Sequence, residues 1–223
     1  MFVYKLEVCL AMGREFDQLF DEWALTYDDT VDGKDEQYKE VFYKYDQILS
    51  TVAAKAKGTV LEFGVGTGNL TKKLIEQGHD VIGIEPSKEM RAIAKQKIPS
   101  LIVFDGDFLL FPNLEKPIQS IVSSYAFHHL KDKEKEKALE LYASLLQSGD
   151  KIVFADTMFE NEEARENIIN WAKEKNYNRL IEDLQTEYYT FIPIFEHMLM
   201  KNDFTVTFQQ MNKFVWILEA IKN

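Results

Sequence analysis

The sequence predicts an α/β protein: a seven-stranded, mostly parallel sheet with helices on both faces, closed by a C-terminal antiparallel hairpin. Three observations predict it. Short β-branched or aromatic runs alternate five times with helical stretches through the middle of the chain. The first of these runs ends in a glycine-rich loop, as strands feeding a βα turn do. Near the C-terminus the pattern switches to strict alternation in "FTVTFQQ" (204–210), followed by a tight turn at Asn212-Lys213 and "FVWILEAI" (214–221).

Taken in order, residues 14–26 and 36–56 are predicted as helices, the second from Tyr38, Phe42, Tyr45, Ile48 and Leu49 at helical spacing. "TVLEF" (59–63) is a buried strand. "NLTKKLIEQ" (69–77) is a helix closed by Gly78, and "DVIGIE" (80–85) a second strand. Ser87 caps a helix that runs to Lys97 and stops before Pro99. "LIVF" (101–104), "SIVSSY" (120–125) and "KIVFAD" (151–156) are further strands. Between the last two, residues 132–147 form an amphipathic helix whose charge run is its solvated face. Residues 160–201 are helical and rich in aromatics.

Composition narrows the function. A chain of 223 residues that is 46% hydrophobic can bury one full core. Its 26 Lys and Arg against 37 Asp and Glu give a net charge of -11, which repels phosphate backbones and anionic membranes, so neither nucleic acid nor membrane is expected as a partner. Cys9 is the only cysteine, which excludes an intrachain disulfide and suits a reducing compartment. The opening "MFVYKLEVCLA" lacks the basic start of a signal peptide, no run is long enough to span a bilayer, and Met12 offers an internal start that would make residues 1–11 an extension. A cytoplasmic protein is expected; the oligomeric state is not legible.

The glycine loop "LEFGVGTGNL" (61–70) carries the functional question. It is no phosphate-binding P-loop, because Asn69-Leu70 follows Gly68 where Lys-Ser/Thr is required. A dinucleotide loop needs a third glycine at 69, where Asn69 stands, and Glu62 would face the pyrophosphate. What remains is an acid followed by alternate glycines: Glu62, Gly64, Gly66 and Gly68. Glu85, ending the second strand, suits the two hydroxyls of a ribose. "DGDF" follows the third strand and "IVSSYAFHHL" forms the fourth.

Together these segments, with "FDEWALTYDD" (20–29), resemble the class I S-adenosylmethionine-dependent methyltransferases, and the chain is most similar to the small YrrT-type methyltransferases of bacteria. The resemblance covers roughly residues 16–158 by motif and implies a Rossmann-like sheet. It implies that Glu62, Gly64, Gly66, Gly68 and Glu85 surround S-adenosylmethionine, that Asp107 meets the adenine amino group, and that Phe108 packs on the ring. Tyr27, in the lid segment, would close over the sulfonium and line the pocket of a small-molecule acceptor, and His128, His129 and Tyr27 are the candidates for an optional base. One departure is that Ile118-Gln119 stands where many relatives start the fourth strand with an acid after an aromatic. No His/Cys cluster has metal-ligand spacing, so no metal is expected.

The expected organisation is a single domain over 1–223. A helical lid (12–56) precedes a donor-binding core (57–158), a helical acceptor cover (159–202) and the terminal hairpin (203–223). Two other readings stay open at this stage. One is a module that binds the donor without catalysis. The other is a nicotinamide-dependent oxidoreductase sharing the Glu85 contact.

Overall fold

The computed structural model describes residues 21–223. Cys9, the extension at 1–11 and the first part of the expected lid lie outside them.

Seven strands form one sheet. They are β1 (Thr59–Phe63), β2 (Asp80–Ile84), β3 (Ile102–Phe104), β4 (Ser120–Ser124), β5 (Lys151–Thr157), β6 (Phe204–Gln210) and β7 (Val215–Lys222). Their order is β3-β2-β1-β4-β5-β7-β6. The first five strands run parallel, and β7 lies antiparallel between β5 and β6. The expected hairpin is therefore present, and its long β7 is inserted beside β5 rather than added at the edge. Because β1 has β2 on one side and β4 on the other, the order reverses at the carboxyl ends of β1 and β4. Open α/β sheets leave a crevice there.

Side chains alternate across the sheet with period two, so each strand feeds two cores. Val60, Val81, Val122, Val153 and Val215 join one of them. That core is covered by α1 (Tyr45–Lys55), α2 (Asn69–Glu76), α5 (Glu162–Glu174) and α6 (Asn178–Thr186). Leu61, Phe63, Ile121, Ile152, Phe154 and Leu218 point to the other face. There α4 (Asp132–Leu145) contributes Ala138, Leu139 and Tyr142, and α7 (Ile192–Lys201) contributes Phe195, Met198 and Leu199. The remaining helix, α3 (Lys88–Lys97), packs Ala94 against Val65, Leu101 and Val103, and Ser87 caps it by accepting from the Met90 N–H.

The largest difference from the sequence reading is at 36–44. The expected helix over 36–56 exists only as α1. Lys44 adopts the left-handed conformation at φ 64°, and the Asn212 side chain donates to the carbonyls of Val41 and Tyr43. Those carbonyls would otherwise receive helical N–H groups, so a contact from the β6–β7 turn overrides local helical spacing. Upstream, Tyr27–Asp29 make a single helical turn that widens into a π-type turn over Thr30–Lys34. The expected helical cover is three helices, α5 to α7, broken at Asn176 (φ 59°) and again across Glu187–Phe191.

Candidate active site

The crevice at the switch point is a cleft of about 670 Å³. Its floor is the loop after β1. Gly64, at φ 67°, lies so close to the end of β4 that a Cβ would fall 2.8 Å from the Ala126 Cβ. Gly66, at φ 56°, is different: a Cβ there would meet nothing within 4 Å, since that side opens into the cleft. Glu85 follows β2 and is buried. Its Oε2 accepts from the Gly66 N–H at 2.8 Å and its Oε1 from the Ser87 N–H at 2.9 Å, so the carboxylate ties the two loops together. Asp107 is fixed by the Leu109 and Leu110 N–H groups, both donating to Oδ1 at 2.8 Å. Phe108 lines the cleft while its ring stacks on Phe63, at 5.3 Å between centroids.

Tyr27 closes one side of the cleft, and Asp28 holds it there. Asp28 accepts from Thr67 at 2.7 Å, from Asn69 at 3.1 Å and from Lys97 at 2.5 Å, which fastens this segment over the glycine loop. Burial works against the Asp28 charge, but the bonds from Lys97, Thr67 and Asn69 outweigh it and lower the pKa. Burial, reinforced by Tyr45, pushes the Tyr27 phenol well above its ordinary value. Tyr27 is therefore a neutral phenol at physiological pH.

A second cavity, of about 750 Å³, adjoins the first, and Tyr27, Tyr125 and His129 line both. Tyr38, Leu180, Asp183, Glu187 and Tyr189 form much of its outer wall. Tyr125 sits at the boundary with φ 54°, a left-handed conformation that costs a bulky residue and that clusters at functional sites. Its hydroxyl is buried and has no hydrogen-bond partner among the described residues, and burial also raises its pKa well above the ordinary value.

His128 and His129 lie on the 3₁₀ turn Phe127–His129 that follows β4. Asp156, at the end of β5, accepts from the His128 backbone N–H at 2.8 Å and pairs with Nδ1 at 2.5 Å. Glu187 lies 3.4 Å from His128 Nε2. Burial lowers the His128 pKa, but Asp156 and Glu187 together overcome it, so the net shift is upward. Burial lowers the His129 pKa too, and there the charges of His128 and Lys135 add to the effect, holding it well below the usual histidine range.

The structure thus brings Tyr27, Gly64, Gly66, Glu85, Asp107 and Phe108 to one cleft. Gly68, at φ 90°, shapes the turn into α2 without lining that cleft. Glu62 lies behind the loop, fully buried, with Oε2 accepting from the Thr71 hydroxyl at 2.6 Å. His128 lines only the second cavity. His129, a candidate base from sequence, lines both cavities; Tyr125, Asp156, Asp183 and Glu187 were not singled out from sequence. Their signal is weak because they come from β4, β5 and the cover helices, segments that only the fold places together.

An alternate-glycine loop after β1, an acid after β2 and a second acid after β3, set on strands ordered β3-β2-β1-β4-β5-β7-β6, define the Rossmann-like class to which class I methyltransferases belong. Comparison with known proteins places the chain within that class. The model of a methyltransferase domain matches residues 60–149. An uncharacterized methyltransferase of Anoxybacillus flavithermus is 57% identical over 211 residues, covering 95% of this chain and all of the relative. One of Geobacillus sp. (strain WCH70) is 55% identical over 212 residues, again covering 95% of this chain and all of the relative. The chain belongs to this methyltransferase family. Among solved structures, magnesium protoporphyrin IX methyltransferase from Synechocystis with bound SAH shares the fold at a TM-score of 0.66 and 16% identity, covering 95% of this chain and 98% of that one.

Proposed function

We propose that the protein is a cytoplasmic, S-adenosylmethionine-dependent methyltransferase of the YrrT type that acts on a small-molecule acceptor. The observation that carries this reading is the lining of the first cleft. It offers glycine backbone, two acids and aromatic rings, with no lysine or arginine among the described residues. Such a lining suits a nucleoside that carries cationic groups and no phosphate, and it disfavours a dinucleotide. When bound, the donor supplies a methyl group on a positively charged sulfur.

Each residue then has a physical task. Gly66 leaves room for the ligand where any side chain would project into the cleft. Glu85 receives the ribose hydroxyls, and its bonds to the Gly66 and Ser87 N–H groups fix its orientation. Asp107 and Phe108 take the adenine. Tyr27, Tyr125 and His129 form the boundary across which the acceptor reaches the methyl group, so its alignment is the main contribution the protein makes. His129, held neutral, can accept a proton from an acceptor that must lose one. His128, whose pKa Asp156 and Glu187 raise against its burial, is less suited to that task.

The test is calorimetric titration of the purified protein with S-adenosylmethionine, S-adenosylhomocysteine and NAD. Binding of the first two and not of NAD is expected. Glu85→Ala is expected to weaken donor binding by about 1–3 kcal/mol, the cost of leaving buried hydroxyls unpaired. Binding of NAD alone, or an unchanged affinity in the variant, overturns the donor assignment.

A further inference from the structure

The second cavity holds ligating atoms that in-line methyl transfer does not by itself use. His128, His129 and Glu187 each present one ligand atom, and these atoms all lie within 4.8 Å of one another. His128 Nε2 is 3.4 Å from Glu187 Oε2, and His129 Nδ1 is 3.9 Å from Glu187 Oε1. All three residues line the cavity, so any coordination position they leave open faces its interior. The expectation of no metal rested on spacing along the chain, and the fold supplies Glu187 from the far end of α6.

Two further features favour a cation here. The cavity wall carries Asp183 as well as Glu187, and no lysine or arginine lines it among the described residues. Lys135, whose positive charge reaches the histidines, does not line the cavity and donates to the Tyr188 carbonyl and the Thr190 hydroxyl. In addition, the Asp156 carboxylate holds His128 by Nδ1 and turns Nε2 toward Glu187. A carboxylate on the distal nitrogen of a histidine is the arrangement that orients imidazole ligands in metal sites.

We propose that His128, His129 and Glu187 bind a divalent transition metal of the zinc class, with Asp156 as the positioning carboxylate, and that its open coordination position takes the methyl acceptor through a thiolate or oxygen atom. Two imidazoles and a carboxylate form the three-ligand set that leaves such a position open. Ligands about 2.0–2.1 Å from zinc stand roughly 3.3 Å apart in a tetrahedron. The His128–Glu187 pair is close to that spacing at 3.4 Å, and the other separations, all within 4.8 Å, close to it by side-chain rotation of up to about 1.5 Å. The role given to the cation rests on the methyl-transfer reading; the site itself does not. With the metal bound, His129 acts as a ligand in place of proton acceptor, and the acceptor's proton passes to solvent as it coordinates.

Chelator-treated full-length protein would be titrated with Zn²⁺ by calorimetry and with Co²⁺ by visible absorption, with S-adenosylhomocysteine binding measured in parallel. One Zn²⁺ per chain and a tetrahedral Co²⁺ spectrum are expected. Glu187→Gln and His129→Asn should each weaken the metal by more than about tenfold, and Asp156→Asn by about 10–100-fold. His197→Asn, on an exposed face of α7, should change nothing. No stoichiometric binding, no tetrahedral spectrum, or an affinity that follows His197 instead overturns the site. Because the wild-type spectrum decides by itself, a variant that fails to fold does not rescue the proposal. Loss of S-adenosylhomocysteine binding with the metal intact supports the site and overturns the donor reading alone.

Discussion

His128 and His129 are neighbours in the chain, yet their surroundings move their charges in opposite directions. His128 is bonded to Asp156 and lies near Glu187, whereas His129 feels burial and the positive charge next to it. The same logic separates Tyr27 from a base. Its phenol is pushed up by burial and by Tyr45, so the phenolate is out of reach near neutral pH, and what remains is a ring between two cavities. Tyr27→Phe keeps that ring and removes one hydroxyl, and it is expected to cost no more than about 0.5–1.5 kcal/mol in kcat/KM. Tyr27→Ala opens the wall and should cost clearly more. Equal losses in the two variants would return the hydroxyl to the chemistry; steady-state kinetics on both distinguishes the cases.

At the scale of elements, the β6–β7 turn does more than join two strands. Asn212 accepts from the Phe214 and Val215 N–H groups through Oδ1 while Nδ2 donates to Val41 and Tyr43, so one side chain closes the hairpin and clamps the segment before α1. Asn212→Ala is expected to destabilise the fold by about 1–3 kcal/mol, read by chemical denaturation, and to speed proteolysis within 36–44. Unchanged cleavage there would show that other contacts hold the segment. This clamp also explains what the sequence could and could not disclose. The strands, the glycine loop and the hairpin were legible because their signals are local: alternation, β-branched runs, glycines at fixed spacing. The lining of the first cleft was legible for the same reason, since Gly64, Gly66, Glu85 and Asp107 all follow strand ends on one edge of the sheet. Segment 36–44 was not, because its carbonyls are captured by a residue far away in the chain. The second cavity was not either, because Asp156, Asp183 and Glu187 meet the histidines only when β5 and α6 pack over the β4 end.

At the scale of the whole molecule, the buried Glu62 and Lys135, both among the described residues, have linkage to folding of opposite sign. Glu62, beneath the glycine loop, is pushed up by burial from 4.5 to about 8, against the opposing bond from Thr71. Between those values the folded state holds a proton that the unfolded state has lost, so stability is full at low pH and declines as pH rises through the window. His128, raised as well, adds to the decline above 6.5. Lys135, on the opposite side of the sheet, is pushed down by burial from 10.5 to about 8. Across that second window the unfolded state holds the extra proton, and stability climbs with pH. Each group contributes at most about 1.4 kcal/mol per pH unit. The buried tyrosines are raised rather than lowered and stay neutral below about pH 10. Denaturant midpoints measured from pH 6.5 to 10 should therefore pass through a minimum near pH 8, a value set by the two crossing windows. Glu62→Gln abolishes most of the descending limb and leaves the ascending one, because Lys135 is untouched. A monotonic profile in the parent protein, or a variant whose descending limb is unchanged, would mean that Glu62 is ionised in the fold and that the loop above it supplies a compensating interaction.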